Sequence, residues 1–479
     1  MSATTAEGFT TGPAQGSGRP VRIGALMTAL LVACFAFQLN ASMLSPALAN
    51  MAATLHTSAA GIGVTQTAFF TSAAVFSLFL PRLGDVVGRR KVLAGMLALM
   101  VVGCVVSALA TNVPMLFVGR ILQGVCGPTV PLCLIMLRRE VVEPKRYGTL
   151  LGVITAVNGG IAGVDSVAGG FLTDRFGFAA VFWTMAAVAA IGSVLVAGLT
   201  RESKAGAGRM DWPGALLLAV SVGTMLLALD EAGKLAAANW GLFAAYVVVS
   251  AAAFALFWRT EGRVAHPLVA TFHLRRRSTW PLLLVTLLTM TGVFAVMNGL
   301  VPAFAQDAAA GTGMSAQASA WWTLTPYALA GLAMGPLAGR LAATFGYGRV
   351  LRWGLVGAVV SVAFVAFTLP LQGRVWLLVG AVLLGVTYAG VANIVLNGLG
   401  IVLSPSENPG FLPGLNAGAF NLGSGLSFAV LDAVQTATHP AAGSVSGYVS
   451  AMIAGIVLIA VAFGVSFLIP KPSAAEARA

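Results

Sequence analysis

Charge is scarce in this chain. Asp, Glu, Lys and Arg together make up 9% of its 479 residues, and 58% are hydrophobic. A soluble globular protein carries about 25% charged residues, and a water-soluble fold of this length could not hide so much apolar surface. Lipid is the solvent that fits. Acidic residues are scarcer than basic ones, 15 against 27, which leaves a formal charge of +12. Cysteine and histidine are almost absent. Cys34, Cys104, Cys126 and Cys133 fall inside apolar runs, and His56, His266, His273 and His439 fall in the connectors between such runs. None has the short Cys-x-x-Cys or Cys/His spacing of a metal site or a disulfide framework, so no metal or cofactor is expected. There is no phosphate-cradling Gly-x-x-x-x-Gly-Lys-Ser/Thr loop and no cluster of nucleophile, base and metal ligands. An enzyme is therefore not expected, and a membrane-embedded one is only a distant alternative. A channel lacks its rings of charge or filter-like run.

Long apolar runs are what the sequence does have. A membrane-spanning helix needs about 20 mostly apolar residues, and fourteen segments qualify: 23–48, 61–81, 91–110, 113–138, 147–172, 179–199, 213–233, 239–258, 279–305, 318–342, 348–369, 374–400, 412–435 and 447–469. The first is far longer than the apolar core of a signal peptide, so it reads as a retained helix. Basic residues test this count, because they concentrate in cytoplasmic loops. With the N-terminus inside, the outer connectors hold only Arg175, Lys234 and Arg374, and Arg120 lies within a segment. All other basic residues face the cytoplasm, where the inner leaflet's anionic headgroups are. The charge thus points to membrane lipids and not to nucleic acid.

The chain also repeats itself. Pro81-Arg82-Leu83-Gly84-Asp85-Val86-Val87-Gly88-Arg89-Arg90 joins segments 2 and 3, and Gly339-Arg340-Leu341-Ala342-Ala343-Thr344-Phe345-Gly346-Tyr347-Gly348 joins segments 10 and 11. Arginine, leucine and the second glycine coincide at a single offset, the distance from Gly88 to Gly346. Transporter folds commonly arise by such duplication. The expected organisation is a disordered cytoplasmic tail (1–20), a six-helix bundle (21–200), two inserted helices (211–260), a second six-helix bundle (278–470) and a short cytoplasmic tail (471–479).

The first of these connectors resembles the signature Gly-x-Leu-Ala-Asp-Arg-x-Gly-Arg-Arg of the major facilitator superfamily. Leu83, Asp85, Gly88, Arg89 and Arg90 match, and Pro81 stands where glycine is usual. The resemblance implies an all-α integral membrane protein of major facilitator fold, two six-helix bundles plus two inserted helices. It also implies a conformational latch made of Asp85, Gly88, Arg89 and Arg90, with Arg340 and Gly346 in the second half. Gly88 allows the tight turn, Asp85 can meet the positive end of a neighbouring helix, and Arg89 can pair with a carboxylate.

Three further stretches are similar to patterns of the fourteen-helix drug:proton antiporter branch. Gly119-Arg120-Ile121-Leu122-Gln123-Gly124 in segment 4 matches Arg-x-x-Gln-Gly. Segment 5 ends in Gly169-Gly170, but Asp165-Ser166 replaces the Gly-Pro of the antiporters. In segment 1, Asn40 stands where the branch has aspartate. Weaker likenesses are Asp211-Trp212-Pro213-Gly214, Glu261, Pro267-Leu268, Pro302, Gln306 and Pro326.

An arginine inside a spanning helix costs about 2.5–3.5 kcal/mol on insertion scales, so Arg120 should be paired. Counted in helical rise from the outer ends of their segments, Asn40, Arg120 and Asp165 sit at one depth. Asp165 is therefore the expected partner of Arg120 and the expected proton carrier, with Asn40 and Gln123 beside them in the cavity. Asp230, Glu231 and Asp432, near outer helix ends, read as interfacial. The function expected on these grounds is proton-coupled efflux of a small organic or amphipathic compound by a monomer in the cell membrane, with protons as the coupling ion. Uptake or uniport of a small metabolite is the alternative, favoured by the missing segment 1 aspartate and segment 5 Gly-Pro.

Overall fold

The computed structural model describes residues 23–141, 143, 146–147, 150–151, 153–154, 162–203, 210–233, 238–264, 274–404, 411–438 and 445–471. Both tails, Lys234, His266, Pro267, Leu268, His273, His439 and the first half of the fifth segment lie outside them. Regular structure among the described residues is helical throughout. Thirteen helices there are long and apolar enough to cross a membrane. In chain order they are α1 (Ile23–Thr54), α2 (Ala59–Val87), α3 (Arg89–Ala108), α4 (Val113–Glu140), α6 (Phe178–Leu199), α7 (Trp212–Gly233), α8 (Trp240–Glu261), α9 (Trp280–Gln306), α10 (Ala316–Phe345), α11 (Tyr347–Leu371), α12 (Arg374–Val402), α13 (Phe411–Thr438) and α14 (Val445–Leu468). Between α4 and α6, α5 is described over Ala162–Phe176. Large apolar side chains such as Trp183, Val194, Val248 and Phe367 lie exposed around the outside, as suits a protein whose surroundings are lipid.

Helix ends depart from the apolar runs in an informative way. The stretch from Pro81 to Val87 is the last two turns of α2 and not a loop, so Gly88 alone turns the chain into α3. Gly346 does the same between α10 and α11. Both glycines have positive φ, 118° and 90°, a region that a β-carbon disfavours. The connectors are thus as short as chemistry permits. Their basic residues fall at helix ends, on what is here termed the arginine face. Three helices are irregular along their length: a 3₁₀ turn at Ser45–Ala47 interrupts α1, and π-helical turns interrupt α9 at Val296–Leu300 and α12 at Gly385–Ala392.

Two seams join the helices of the first half to those of the second, α2 with α13 and α5 with α10. Each is held the same way. Thr67 Oγ1 donates to the Gly425 carbonyl at 2.9 Å across the first, and Thr325 Oγ1 donates to the Gly163 carbonyl at 2.8 Å across the second. Thr67 and Thr325 are separated along the chain by the same offset as the two glycine turns. Near the face opposite the arginines, Asp174 of α5 accepts from the backbone N–H groups of Ala316 and Gln317 at 3.0 and 2.9 Å, capping the start of α10. Its mate at the same offset, Asp432 of α13, is buried against Gly63 near the start of α2, and so is not the interfacial residue expected. A carboxylate at a helix N-terminus meets both free N–H groups and the positive end of the dipole. α7 and α8 pack on each other, and α7 also rests on α2 and α13. Asp211 caps α7, accepting from Gly214 N at 3.0 Å.

The Asp174 cap makes a prediction. Gln317→Cys places a thiol under it, and the four native cysteines are buried. Adding Asp174→Ala should raise the rate of labelling by a polar maleimide several-fold in the purified protein. An unchanged rate would mean that the cap does not hold the seam closed.

Candidate functional site

Arg120 is the largest fully buried side chain among the described residues, at 0% exposure. A guanidinium stripped of water needs its N–H groups satisfied, and here amide oxygens serve Nη1 and Nη2, while Nε has no partner among the described residues. Nη1 donates to Gln123 Oε1, one turn on in α4, at 2.6 Å and to Asn40 Oδ1 of α1 at 3.5 Å. Nη2 donates to Gln66 Oε1 of α2 at 2.8 Å. The guanidinium lies 4.2 Å from the Phe69 ring centroid, close enough for a cation–π contact. Gln123 is held in turn, its Nε2 donating to Ser107 Oγ and to the Gly103 carbonyl.

Asp165 is also buried, at 3% exposure. Its carboxylate accepts from Ser42 Oγ at 2.5 Å and from its neighbour Ser166 Oγ at 3.3 Å. It forms no ion pair with Arg120. The matched depth expected from the sequence brings Asn40 to Arg120 but leaves the two charges apart, and α1 shows why. Asn40 and Ser42 are two residues apart, so they project about 200° apart around the helix. One faces α4 and the other faces α5. Helix α1 therefore stands between the charges and satisfies each separately.

Across the seam, aromatic rings continue the site. Phe70, one turn after Gln66, meets Phe294 of α9 edge-on with centroids 5.0 Å apart. Phe428 of α13 lies nearly parallel to Phe70 at 6.3 Å and edge-on to Phe294 at 6.1 Å. Asn298 sits in the π-helical turn of α9, one turn beyond Phe294, whose carbonyl its Nδ2 contacts at 3.0 Å. It is the repeat mate of Asn40, at the offset of the glycine turns. In the second π-turn, Tyr388 donates to Met290 Sδ at 2.7 Å. π-Turns occur often at functional sites, and they carried no signal in the sequence. Thr286 donates to Asn416 Oδ1 at 2.7 Å and ties α9 to α13.

The residues expected to form a latch lie at the arginine face. Arg89 Nε and Nη2 donate to Asp85 Oδ1 at 3.0 and 2.8 Å, so the carboxylate that pairs with Arg89 belongs to the signature itself. Arg90 lies 3.6 Å from Glu202. Two residues that sequence reasoning passed over complete the arrangement. Glu202 Oε1 accepts from Arg90 N, and Ser203 Oγ accepts from Arg89 N, so the stretch after α6 caps α3. A cleft of ≈ 320 Å³ lined by Asp85, Arg89, Arg139 and Ser203 opens beside them. In the second half, Arg340 and Gly346 are exposed at the end of α10.

Among the described residues, thirteen membrane-length helices and α5, with a duplicated arrangement and buried polar residues, define a membrane transporter fold. A sequence profile of the Major Facilitator Superfamily matches residues 30–428. The chain belongs to that superfamily. It is 53% identical over 470 residues, 97% of this chain and 98% of the relative, to a uridine/deoxyuridine transporter of Lactococcus lactis subsp. cremoris (strain MG1363). The multidrug resistance protein Stp of Mycobacterium tuberculosis (strain CDC 1551 / Oshkosh) is 25% identical over 84% of this chain and 74% of its own. Among solved structures, the nucleoside transporter NupG superposes with a TM-score of 0.61 at 15% identity, over 93% of this chain and 100% of that one. A POT family transporter in complex with 5-aminolevulinic acid superposes with a TM-score of 0.66 at 13% identity, over 94% and 96%. These structural likenesses are likenesses of fold.

The full-length relative overturns the expectation of proton-coupled efflux of a drug-like compound. The departures at Asn40 and at Asp165-Ser166 are where the chain leaves the antiporter pattern, and they accord with the alternative of metabolite uptake.

The separation of the charges is testable by stability. Asp165→Asn keeps a hydrogen-bonding partner for Ser42 and takes nothing from Arg120. It should shift the melting temperature of the purified protein by less than about 3 °C. Gln66→Leu leaves a buried guanidinium N–H unpaired, a cost of about 1–3 kcal/mol, and should lower it further. If Asp165→Asn is the more damaging change, the two charges are coupled after all.

Proposed function

We propose that this chain carries uridine and deoxyuridine, or nucleosides of that chemistry, into the cell by alternating access. The observation that carries this reading is the 53% identity, end to end, with a uridine/deoxyuridine transporter. The chemistry of the site supports it. Its lining offers amides at Asn40, Gln66, Gln123 and Asn298 beside the aromatic rings of Phe70, Phe294 and Phe428. Such a lining suits a neutral, flat, hydroxyl-bearing solute, since amides supply donors and acceptors without charge and rings supply a stacking surface. Arg120, neutralised by no carboxylate among the described residues, fixes the orientation of the amides around it, and Asp165 with Ser42 offers an acceptor for a sugar hydroxyl.

Alternating access follows from the seams. With Asp174 seated on α10 and Asp432 on α2, the face opposite the arginines is closed. Release of these contacts, with closure at Asp85, Arg89 and Arg90 and at Arg340 and Gly346, exposes the site to the other side. The protein sits in the cell membrane with the arginine face and both termini toward the cytoplasm, a reading that the distribution of positive charge supports. The two halves of one chain form the whole site, so a monomer suffices.

The test is uptake. Expressed in cells that lack pyrimidine nucleoside transport, the chain should confer saturable accumulation of radiolabelled uridine, competed by excess deoxyuridine. Absence of uptake, together with raised resistance to lipophilic drugs, would reverse the reading.

A further inference from the structure

A line of residues crosses from one half of the protein to the other and carries two hydrogen-bonding positions that are unfilled among the described residues, at Gln66 and Asn298. It begins at Asn40 and runs through Arg120 to Gln66, then one turn along α2 to Phe70, across the seam to Phe294, and one turn along α9 to Asn298. The repeat mates Asn40 and Asn298 stand at its ends. Two amides on this line have a fixed orientation. Gln66 must present its oxygen to Arg120, so its Nε2 is the other end, and that donor has no partner among the described residues although Gln66 is 4% exposed. Asn298 spends its Nδ2 on the Phe294 carbonyl, so its Oδ1 is the free end, in a residue 8% exposed. A buried donor left unpaired costs about 1–3 kcal/mol. In a protein that binds and releases a solute, such a group marks where the solute's acceptor goes.

We infer that Gln66 and Asn298 read the imide edge of a pyrimidine base, Gln66 donating to a ring carbonyl and Asn298 accepting the neighbouring N3–H, with the base packed against Phe70, Phe294 and Phe428. The inference rests on the nucleoside reading and deepens it. Uracil and thymine carry a carbonyl next to an N–H, the complement of one free donor and one free acceptor. Cytosine has an unprotonated N3 where the imide has N–H, so the acceptor of Asn298 meets a second acceptor there. Asn298 cannot adapt by turning its amide over, because that would set its oxygen against the Phe294 carbonyl. With Gln66 on the ring carbonyl, the site therefore favours uracil-type nucleosides over cytidine without using charge.

The experiment is competition for radiolabelled uridine uptake by unlabelled 3-methyluridine, which lacks the N3–H, and by cytidine. In the wild-type chain both should compete at least about tenfold more weakly than uridine, as expected for an unmade buried hydrogen bond. In Asn298→Ala, uridine should lose affinity while 3-methyluridine does not, so that the two compete about equally. If 3-methyluridine matches uridine in the wild-type chain, the N3–H is not read and the inference is overturned. If the discrimination survives in Asn298→Ala, Asn298 is not its reader. The wild-type comparison decides even where the variant fails to reach the membrane. A wild-type chain that takes up no uridine at all is a separate outcome, which removes the nucleoside reading and this inference with it.

Discussion

A charged guanidinium buried without a carboxylate is the constraint from which the centre of this protein follows. Arg120 cannot be left bare in the bundle, because an unpaired buried charge is among the costliest features a fold can carry. The solution is to surround it with oxygens that bear partial charge, those of Asn40, Gln66 and Gln123, and with the face of Phe69. This draws α1, α2 and α4 to one point. It also orients each amide, since an amide that accepts from arginine must present its NH₂ elsewhere. Gln123 passes its NH₂ on to α3, and Gln66 leaves its own without a hydrogen-bond partner among the described residues. The same cation thus ties three helices of the first half together and fixes the direction of the unpartnered Gln66 donor.

Duplication provides the second organising fact. Pairs related by the repeat offset do matching work: Gly88 and Gly346 make the turns, Thr67 and Thr325 bridge the seams, and Asp174 and Asp432 sit at the starts of the facing helices. The asparagines at 40 and 298 are matched in position yet differ in what their oxygens meet, one an arginine and the other nothing among the described residues. Symmetry of the scaffold with asymmetry at its centre is what the proposed alternating access of an oriented solute calls for.

Much of this was legible in the residues. Apolar run length and the placement of basic charge found the helices, and the offset between two glycine turns found the repeat. Depth along a helix was legible too, and Asn40, read at the depth of Arg120, does lie beside it. Direction around a helix was not. The rise per residue places Asn40 and Ser42 at nearly one height, but only the packed bundle shows that they face α4 and α5 and hold Arg120 and Asp165 apart. Gln66 and Asn298 escaped notice because a neutral amide in an apolar run raises no alarm of the kind a charge does, and the π-turns have no sequence signature. Carrying the repeat offset from Asn40 would have reached Asn298. The substrate class was not legible for a related reason: the motifs that resemble drug exporters lie apart in the sequence from Gln66 and Asn298, the residues proposed to meet a solute.

The central claim is that the polar seam between the halves binds and moves a pyrimidine nucleoside. Counterflow with purified protein in liposomes tests this without reliance on any driving ion. Vesicles preloaded with unlabelled uridine and diluted into a trace of labelled uridine should accumulate label transiently above equilibrium, and vesicles preloaded with cytidine should do so far less. The absence of an overshoot with either uridine or deoxyuridine inside, from protein that is folded and inserted, would contradict the account.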